Sequence, residues 1–264
     1  LRNLDVISDA LELISEHRGI ELDIDNVPLD DADTFALLGR GETMGVFQLE
    51  SPPMRALLRA VAPDSFEDVS AVLALYRPGP MSANMHYDYA DRKNGRKPVE
   101  FFHPEAEAVL ADTYGLMIYQ ESVMRVASTF AGYSMAQADN LRKACGKKKP
   151  ELMAKERASF EDGVEATGYG RALGKELFDI IERFADYAFN KSHTFGYGLI
   201  TYQTAYLKAH YPEEYLAALL TSVRSSLEKA ATYLAECRSM GITVEVPDIN
   251  RSAVYFTPGD RSII

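Results

Sequence analysis

Residues 1–19 read LRNLDVISDALELISEHRG, and the spacing of their apolar side chains decides the fold class. Leu4, Ile7, Ala10, Leu11 and Ile14 recur at three- and four-residue intervals, the period of one face of an α-helix. Gly19 follows, the residue type that best tolerates a left-handed helix cap. The same period predicts further helices at about 31–39, 52–60, 65–76, 83–94, 104–112, 119–131, 134–145, 150–167, 170–186, 192–210, 212–225 and 227–239. Strand-like stretches are few and short: VFQLE at 46–50, GLMIY at 115–119 and ITVEVPDI at 242–249. The expected class is mainly α, a multi-helix domain with a few short strands. Its body is expected over residues 1–240, with sub-lobes at about 1–100 and 101–240, and 241–264 begins a connection onward.

The chain has 264 residues, 47% of them hydrophobic, enough for one large or two closely joined domains with a real core. The longest apolar runs, such as LAALLTSV at 216–223, sit inside amphipathic patterns and fall short of the roughly 18 residues of a membrane span. No membrane association is expected. Two cysteines, Cys145 and Cys237, make neither a disulfide framework nor a zinc site. With no signal peptide in view, a cytoplasmic, reducing location is expected. The opening LRNLDVISDAL is already helical and lacks an initiator Met, so the chain reads as a segment of a longer protein.

The net charge of −11 argues against a general nucleic-acid coat, since phosphate binding is driven by Lys and Arg releasing counterions. Charge is unevenly spread. From Asp139 to Lys155 six basic residues face two acidic ones, a local excess of four, so the rest of the chain carries −15.

That basic stretch joins two helices. Ser134 and Gln137 have the spacing of a capping box at the start of the first, and Pro150 fits the first turn of the second. Between them LRKACGKKKPE, 141–151, carries a short break at Gly146. Arg142 and Lys143 fall in a last turn and pair back to Asp139. Lys147, Lys148 and Lys149 precede a helix N-terminus, where positive charge costs about 0.3–1 kcal/mol each before screening. Two readings stand: an anion site for a triphosphate or nucleic-acid backbone, or a solvated surface run.

Other stretches could carry chemistry. In ALYRPGPM, 74–81, Arg77 ends an apolar helix before a rigid Pro-Gly-Pro turn; it either binds a phosphate or carboxylate bidentately or caps its own helix. In 184–215, Ser192 is placed to cap a helix on which Phe195, Leu199, Tyr202 and Tyr206 share one face, a core stripe or a base-stacking platform. Lys191 and His193 make a small cationic corner beside that N-terminus. Gln48, Glu50 and Ser51 lie at a strand-to-helix turn, as do Tyr119, Gln120 and Glu121, where polar residues also serve as caps. Asp23 and Asp25, two apart, suit a metal pair only on a strand; in the polar connection ELDID they read as solvated loop and helix cap. His17, His86 and His103 read as surface or packing residues.

Five stretches in this order, GVFQLES (45–51), YRPGPM (76–81), YGLMIYQESVM (114–124), ADNLRKACGKKKPE (138–151) and FNKSHTFGYGLITYQTAYLKAHYP (189–212), resemble the α subunit of bacterial DNA polymerase III, the C-family replicative polymerase. The likeness covers nearly the whole chain, and the wording as a whole resembles actinobacterial members. It implies a fingers domain lying just after the palm, whose catalytic aspartates hold Mg2+; those ligands are then outside this chain, and the segment alone is expected to be inactive. It implies that Arg142, Lys143, Lys147, Lys148, Arg77, Lys191 and His193 face the phosphates of the incoming dNTP. Gln48, Ser51, Tyr119, Gln120, Lys149 and Asn190 are implied as primer-template contacts. Other implied partners, in the full enzyme, are the sliding clamp and further holoenzyme subunits. Cys145 stands where most members have Met. Phe189-Asn190-Lys191-Ser192-His193 differs from the Phe-Pro-Glu-Ser-His usual in error-prone relatives, which favours the replicative branch. The rival readings are a non-catalytic nucleic-acid-binding module and an acidic helical scaffold for a protein partner.

Overall fold

The computed structural model describes residues 2–147, 150–184 and 188–264. Its helices run α1 (Arg2–Arg18), α2 (Ala32–Arg40), α3 (Pro52–Val61), α4 (Phe66–Leu75), α5 (Pro78–Ser82), α6 (Met85–Lys93) and α7 (Glu107–Leu110). They continue as α8 (Gln120–Ala131), α9 (Met135–Lys147), α10 (Pro150–Ala166), α11 (Arg171–Phe184), α12 (Lys191–His210), α13 (Pro212–Ser222) and α14 (Leu227–Ser239). Three two-residue strands follow: β1 (Thr243–Val244), β2 (Pro258–Gly259) and β3 (Ser262–Ile263). They form one small sheet in the order β1-β3-β2, with β1 parallel and β2 antiparallel to β3. The protein is mainly α-helical.

The chain forms two compact units, residues 1–69 with 196–264 and residues 70–195. In the first, the stripe that opens the sequence turns inward at Ile7, Ala10 and Ile14, whereas Leu4 is 47% exposed and Leu11 half-buried, and Val6 joins the buried face instead. Val6, Ile7, Ala10 and Ile14 of α1 are buried against Tyr215, Leu216, Leu219 and Leu220 of α13. Each large aliphatic side chain so buried contributes about 1.5–3 kcal/mol. Gly19 ends α1 at φ +67°. The C-terminal sheet belongs to the same unit, because Ile242 and Ile263 enter this core. One ion-pair cluster ties α1 to α13: Glu214 is fully buried and accepts hydrogen bonds from Arg18 Nε at 2.6 Å and Nη2 at 3.0 Å, with His17 Nδ1 beside them. Burial pulls the Glu214 carboxyl upward, but Arg18 and His17 outweigh it and hold it below its ordinary range.

The second unit packs α8, α9, α10 and α11 around Phe130, Phe160 and Phe178, whose rings meet their neighbours at tilted or edge-on angles. Close packing between α8 and α10 depends on Gly163, where a Cβ would lie 2.5 Å from the Ala131 carbonyl oxygen. The capping box forms as spaced: Ser134 N donates to Gln137 Oε1 at 2.9 Å, and Gln137 N donates to Ser134 Oγ at 3.4 Å.

Several expectations are corrected. VFQLE is not a strand: Gly45 and Gln48 have φ of +83° and +67°, and these left-handed positions coil the chain so that Val46 and Leu49, three apart, both turn inward. GLMIY is no strand either. Gly115 starts it at φ +78°, and only Tyr119 pairs, in an isolated parallel bridge with Phe189. Gly146 does not interrupt α9, which runs to Lys147. Pro78-Gly79-Pro80 forms the one-turn helix α5 rather than a bare turn, since proline fits the first helical positions. The helix expected at 104–112 is broken into two 3₁₀ turns around the single turn of α7. On α12 the stripe is core at Tyr202: the ring is fully buried, and its hydroxyl donates to the Pro28 carbonyl at 2.7 Å and accepts from Asp31 N at 3.0 Å. Asp23 caps the Ile24–Asn26 turn and Asp25 accepts from Gln203, so the acidic connection is the capped loop its sequence suggests.

Candidate functional site

The second unit gathers most of the candidate residues through the Tyr119–Phe189 bridge. Gln120 N donates to the Phe189 carbonyl at 2.8 Å and Phe189 N donates to the Ile118 carbonyl at 3.3 Å. This pins the turn before α8 to the turn before α12. Two helix N-termini therefore start side by side, each with orphan backbone donors. At α12 they are satisfied across the pairing: Lys191 N donates to Glu121 Oε2 at 3.0 Å, and His193 N donates to Asn190 Oδ1 at 2.9 Å. Asn190, not Ser192, is thus the cap, because the helix begins one residue earlier than the sequence suggests and Ser192 falls inside its first turn.

Around this pin stand five basic side chains. The Arg77 guanidinium lies 4.2 Å from the Phe189 ring centre, and its Nε donates to the Ala74 carbonyl at 2.8 Å, so it caps its own helix as well. Burial pushes its pKa below the usual arginine range. Lys191 Nζ meets Asp112 at 3.1 Å and sits over the rings of Tyr119 and Phe195, 5.3 and 5.6 Å from their centres. His193 rests against Phe189, ring centres 5.6 Å apart. Arg142 reaches Gln120 Oε1 at 3.3 Å from α9 and binds Asp139 at 2.7 Å, while Lys143 binds the same carboxylate at 2.6 Å.

Electrostatically the corner is cationic with built-in partners. Asp139 serves both Arg142 and Lys143, which hold its carboxyl below the ordinary range, Lys143 most strongly. Asp112 likewise serves both Lys191 and Arg125, the latter at 3.2 Å. Two cations on one carboxylate leave a surplus of one positive charge per cluster. Each carboxylate also holds flexible arms in one orientation, which lowers the entropy lost when they engage an anion. Exposed pairs of this kind add little to stability, so the geometry is better explained by placement than by folding energy.

Tyr119 is 2% exposed; its ring supports Lys191 and offers no open face. Gln48 and Ser51 lie in the other unit, both exposed, Gln48 on the coiled loop and Ser51 at the α3 N-cap with no side-chain cap bond. Lys148 and Lys149 lie outside the described residues, and Lys147 is described as the last residue of α9. Asp112 and Arg125 were not legible as site residues, since they are 13 apart in sequence and meet only through the fold.

Residues 3–168 match the family described as the bacterial DNA polymerase III alpha subunit finger domain. The chain belongs to this finger-domain family. It is 58% identical over 267 residues to the DNA polymerase III subunit alpha of Mycobacterium tuberculosis strain H37Rv, with 100% of this chain and 23% of that protein covered. The corresponding subunit of Saccharopolyspora erythraea is 51% identical over 261 residues, covering 97% of this chain and 22% of that protein. That of Escherichia coli strain K12 is 45% identical over 269 residues, covering 98% and 23%. The chain thus spans less than a quarter of the length of these relatives. The family match takes in Arg77, Tyr119, Gln120, Arg142 and Lys143, whereas Asn190, Lys191 and His193 lie beyond it and join them through the bridge.

Among the described residues of this finger domain, no three His, Cys, Asp or Glu side chains are placed to hold a metal ion. The corner's own carboxylates, Asp112 and Asp139, are each taken by two basic side chains. No helix of the described residues is long and apolar enough to cross a membrane.

Proposed function

We propose that this finger-domain chain binds the triphosphate of an incoming deoxynucleoside triphosphate and contacts primer-template DNA, as part of a cytoplasmic DNA-directed DNA polymerase. The observation that carries the reading is the convergence of Arg77, Lys191, His193 and the Arg142–Lys143 pair on the pinned turns at 119 and 189. Lys147 and Lys148 extend the Arg142–Lys143 stretch in sequence and join the same assignment. The chain's own part in the reaction is positioning. When the primer 3′-hydroxyl attacks the α-phosphorus, negative charge grows on the leaving pyrophosphate, and preorganised cations stabilise it there. Asp139 and Asp112 release one arm each to the phosphates while continuing to hold the other. Asn190, Gln120 and Lys149 are assigned to the primer-template side of the corner, with Gln48 and Ser51 contributing from their own unit. The metal ions and their carboxylates, like the sliding clamp and other holoenzyme subunits, belong to the full-length enzyme.

The test is steady-state kinetics of a subunit of the relatives' full length that carries this chain. Replacing Lys147 and Lys148 with Ala is expected to raise the dNTP KM, or lower kcat/KM, at least about tenfold, the equivalent of roughly 1.4 kcal/mol of phosphate contact. Arg142→Ala should do the same. Unchanged dNTP parameters in both variants would overturn the phosphate assignment. Salt-dependent DNA binding with no nucleotide preference would favour the non-catalytic module instead.

A further inference from the structure

Residues 42–50 of the first unit form a loop whose backbone is fixed almost atom by atom by side chains from elsewhere. Lys208 on α12 is fully buried, and its ammonium spends all three protons there: on the Glu42 carbonyl at 2.7 Å, the Met44 carbonyl at 2.8 Å and Glu236 Oε1 of α14 at 2.6 Å. Tyr215 donates to the Gly45 carbonyl at 2.7 Å. Thr201 donates to the Phe47 carbonyl at 3.2 Å and Thr204 accepts from Phe47 N at 3.1 Å. Glu50 closes the loop on itself, accepting from Gly45 N and from the Tyr233 hydroxyl, each at 2.9 Å.

Burying a lysine is costly, and burial pushes its pKa down against the pull of Glu236. A hydrophobic side chain at 208 would avoid that cost, so the cation is there for what it holds. What it holds leads to Gln48. This residue is exposed and sits at φ +67°, a conformation that costs a non-glycine residue about 1–2 kcal/mol. Among the described residues nothing hydrogen-bonds its amide. Strain kept in place by an over-determined surround, with one polar side chain projected from it, is the pattern of a contact residue rather than of a folding element. Beside it Phe47 stacks on Tyr197, ring centres 5.7 Å apart and 25° between planes, which stiffens the neighbouring position too.

We propose that Lys208 is a positioning residue that holds the 42–50 loop so that the Gln48 amide meets a hydrogen-bond acceptor of the primer-template duplex. The proposal rests on the nucleic-acid reading above, but on a different unit from the triphosphate corner. A neutral amide adds a directional bond without releasing counterions, so it sharpens placement of the duplex and leaves the salt slope alone.

The experiment measures primer-template Kd as a function of salt, together with dNTP KM and unfolding temperature, in the same full-length subunit. Gln48→Gly removes the amide and relieves the strained backbone. It is expected to raise Kd about fivefold, the loss of one hydrogen bond, with the salt slope and dNTP KM unchanged and the unfolding temperature not lowered. Lys208→Met is expected to raise Kd by a similar factor, and to add nothing once Gln48 is already Gly. Thr204→Val, milder for folding, is expected to follow the same non-additive pattern should Lys208→Met not fold. A Gln48→Gly Kd within about twofold of the parent sinks the contact. Lys208 and Thr204 effects that add fully to that of Gln48→Gly sink the positioning role. Either result leaves the dNTP test of the corner untouched, so the two readings fail separately.

Discussion

The buried carboxylate of Glu214 offers a direct test of what holds α1 to α13. Glu214→Gln keeps the side-chain volume and one acceptor oxygen but removes the charge. In the parent, that charge accepts two hydrogen bonds from Arg18 and faces His17 inside a site with no solvent access to Glu214. Hydrogen bonds to a charged group contribute about 1.5–3 kcal/mol, and breaking a buried pair outright costs about 3–5 kcal/mol. Arg18 is 34% exposed and can recover water once its partner is neutral, so the lower range applies and about 2–3 kcal/mol is expected. At roughly 2–4 °C per kcal/mol for a domain of this size, the unfolding temperature at pH 7 falls by about 4–12 °C. The pH dependence checks the cause. The folded-state pKa of Glu214 lies below its ordinary 4.5, so the folded state binds fewer protons than the unfolded one between those values. Its stabilisation is therefore complete above about 4.5 and lost as pH falls through the lower, folded value. Parent and variant should differ near neutral pH and converge in acid, measured by chemical denaturation from pH 7 to 3. A difference below about 0.5 kcal/mol at pH 7, or one that persists unchanged in acid, would refute the ion-pair account.

Three further outcomes follow from other parts of the structure. Ser134→Ala removes one half of the capping box at α9 and is expected to destabilise the second unit by about 1 kcal/mol, read by denaturant midpoint; no shift would mean that Gln137 alone caps the helix. Gly115→Ala places a Cβ 2.4 Å from the Glu100 carbonyl oxygen at φ +78°, and a loss of at least about 2 kcal/mol is expected in the same assay. Cys145 and Cys237 are both buried, and burial pushes each thiol up to about 11, so neither should react with a thiol reagent at pH 8 until the protein unfolds. Rapid native labelling of either would place that thiol at the surface.

The helical class and the individual helices were legible because their evidence is local. The α1 stripe at Ile7, Ala10 and Ile14, the capping box at Ser134, the proline starts at Pro52 and Pro150 and the pairing of Asp139 with Arg142 and Lys143 each lie within a few residues, and each forms as spaced. The motifs also carried the family, which the match over 3–168 bears out. What the sequence could not supply was anything set by distant partners. VFQLE looks like a strand by composition, yet its backbone is bonded at Phe47 by Thr201 and Thr204, and the Met44 and Gly45 carbonyls just before it by Lys208 and Tyr215, all more than 150 residues away in sequence, and those bonds select a coiled loop. The cap of α12 moved from Ser192 to Asn190 because Glu121 took the first backbone donor. Asp112 and Arg125 had no local signal.

By itself, then, the sequence determined where most of the longer helices lie, because helix formation answers to period and caps within a turn or two, but not the broken turns at 104–113 or the short α5. It also determined which residues carry positive charge at the 141–151 stretch. Only the tertiary structure decided that the turns at 119 and 189 are pinned together and that a buried lysine and a strained glutamine share one loop. Those facts depend on which backbone donors and acceptors remain after the helices form, and the chain meets their partners only once it has folded.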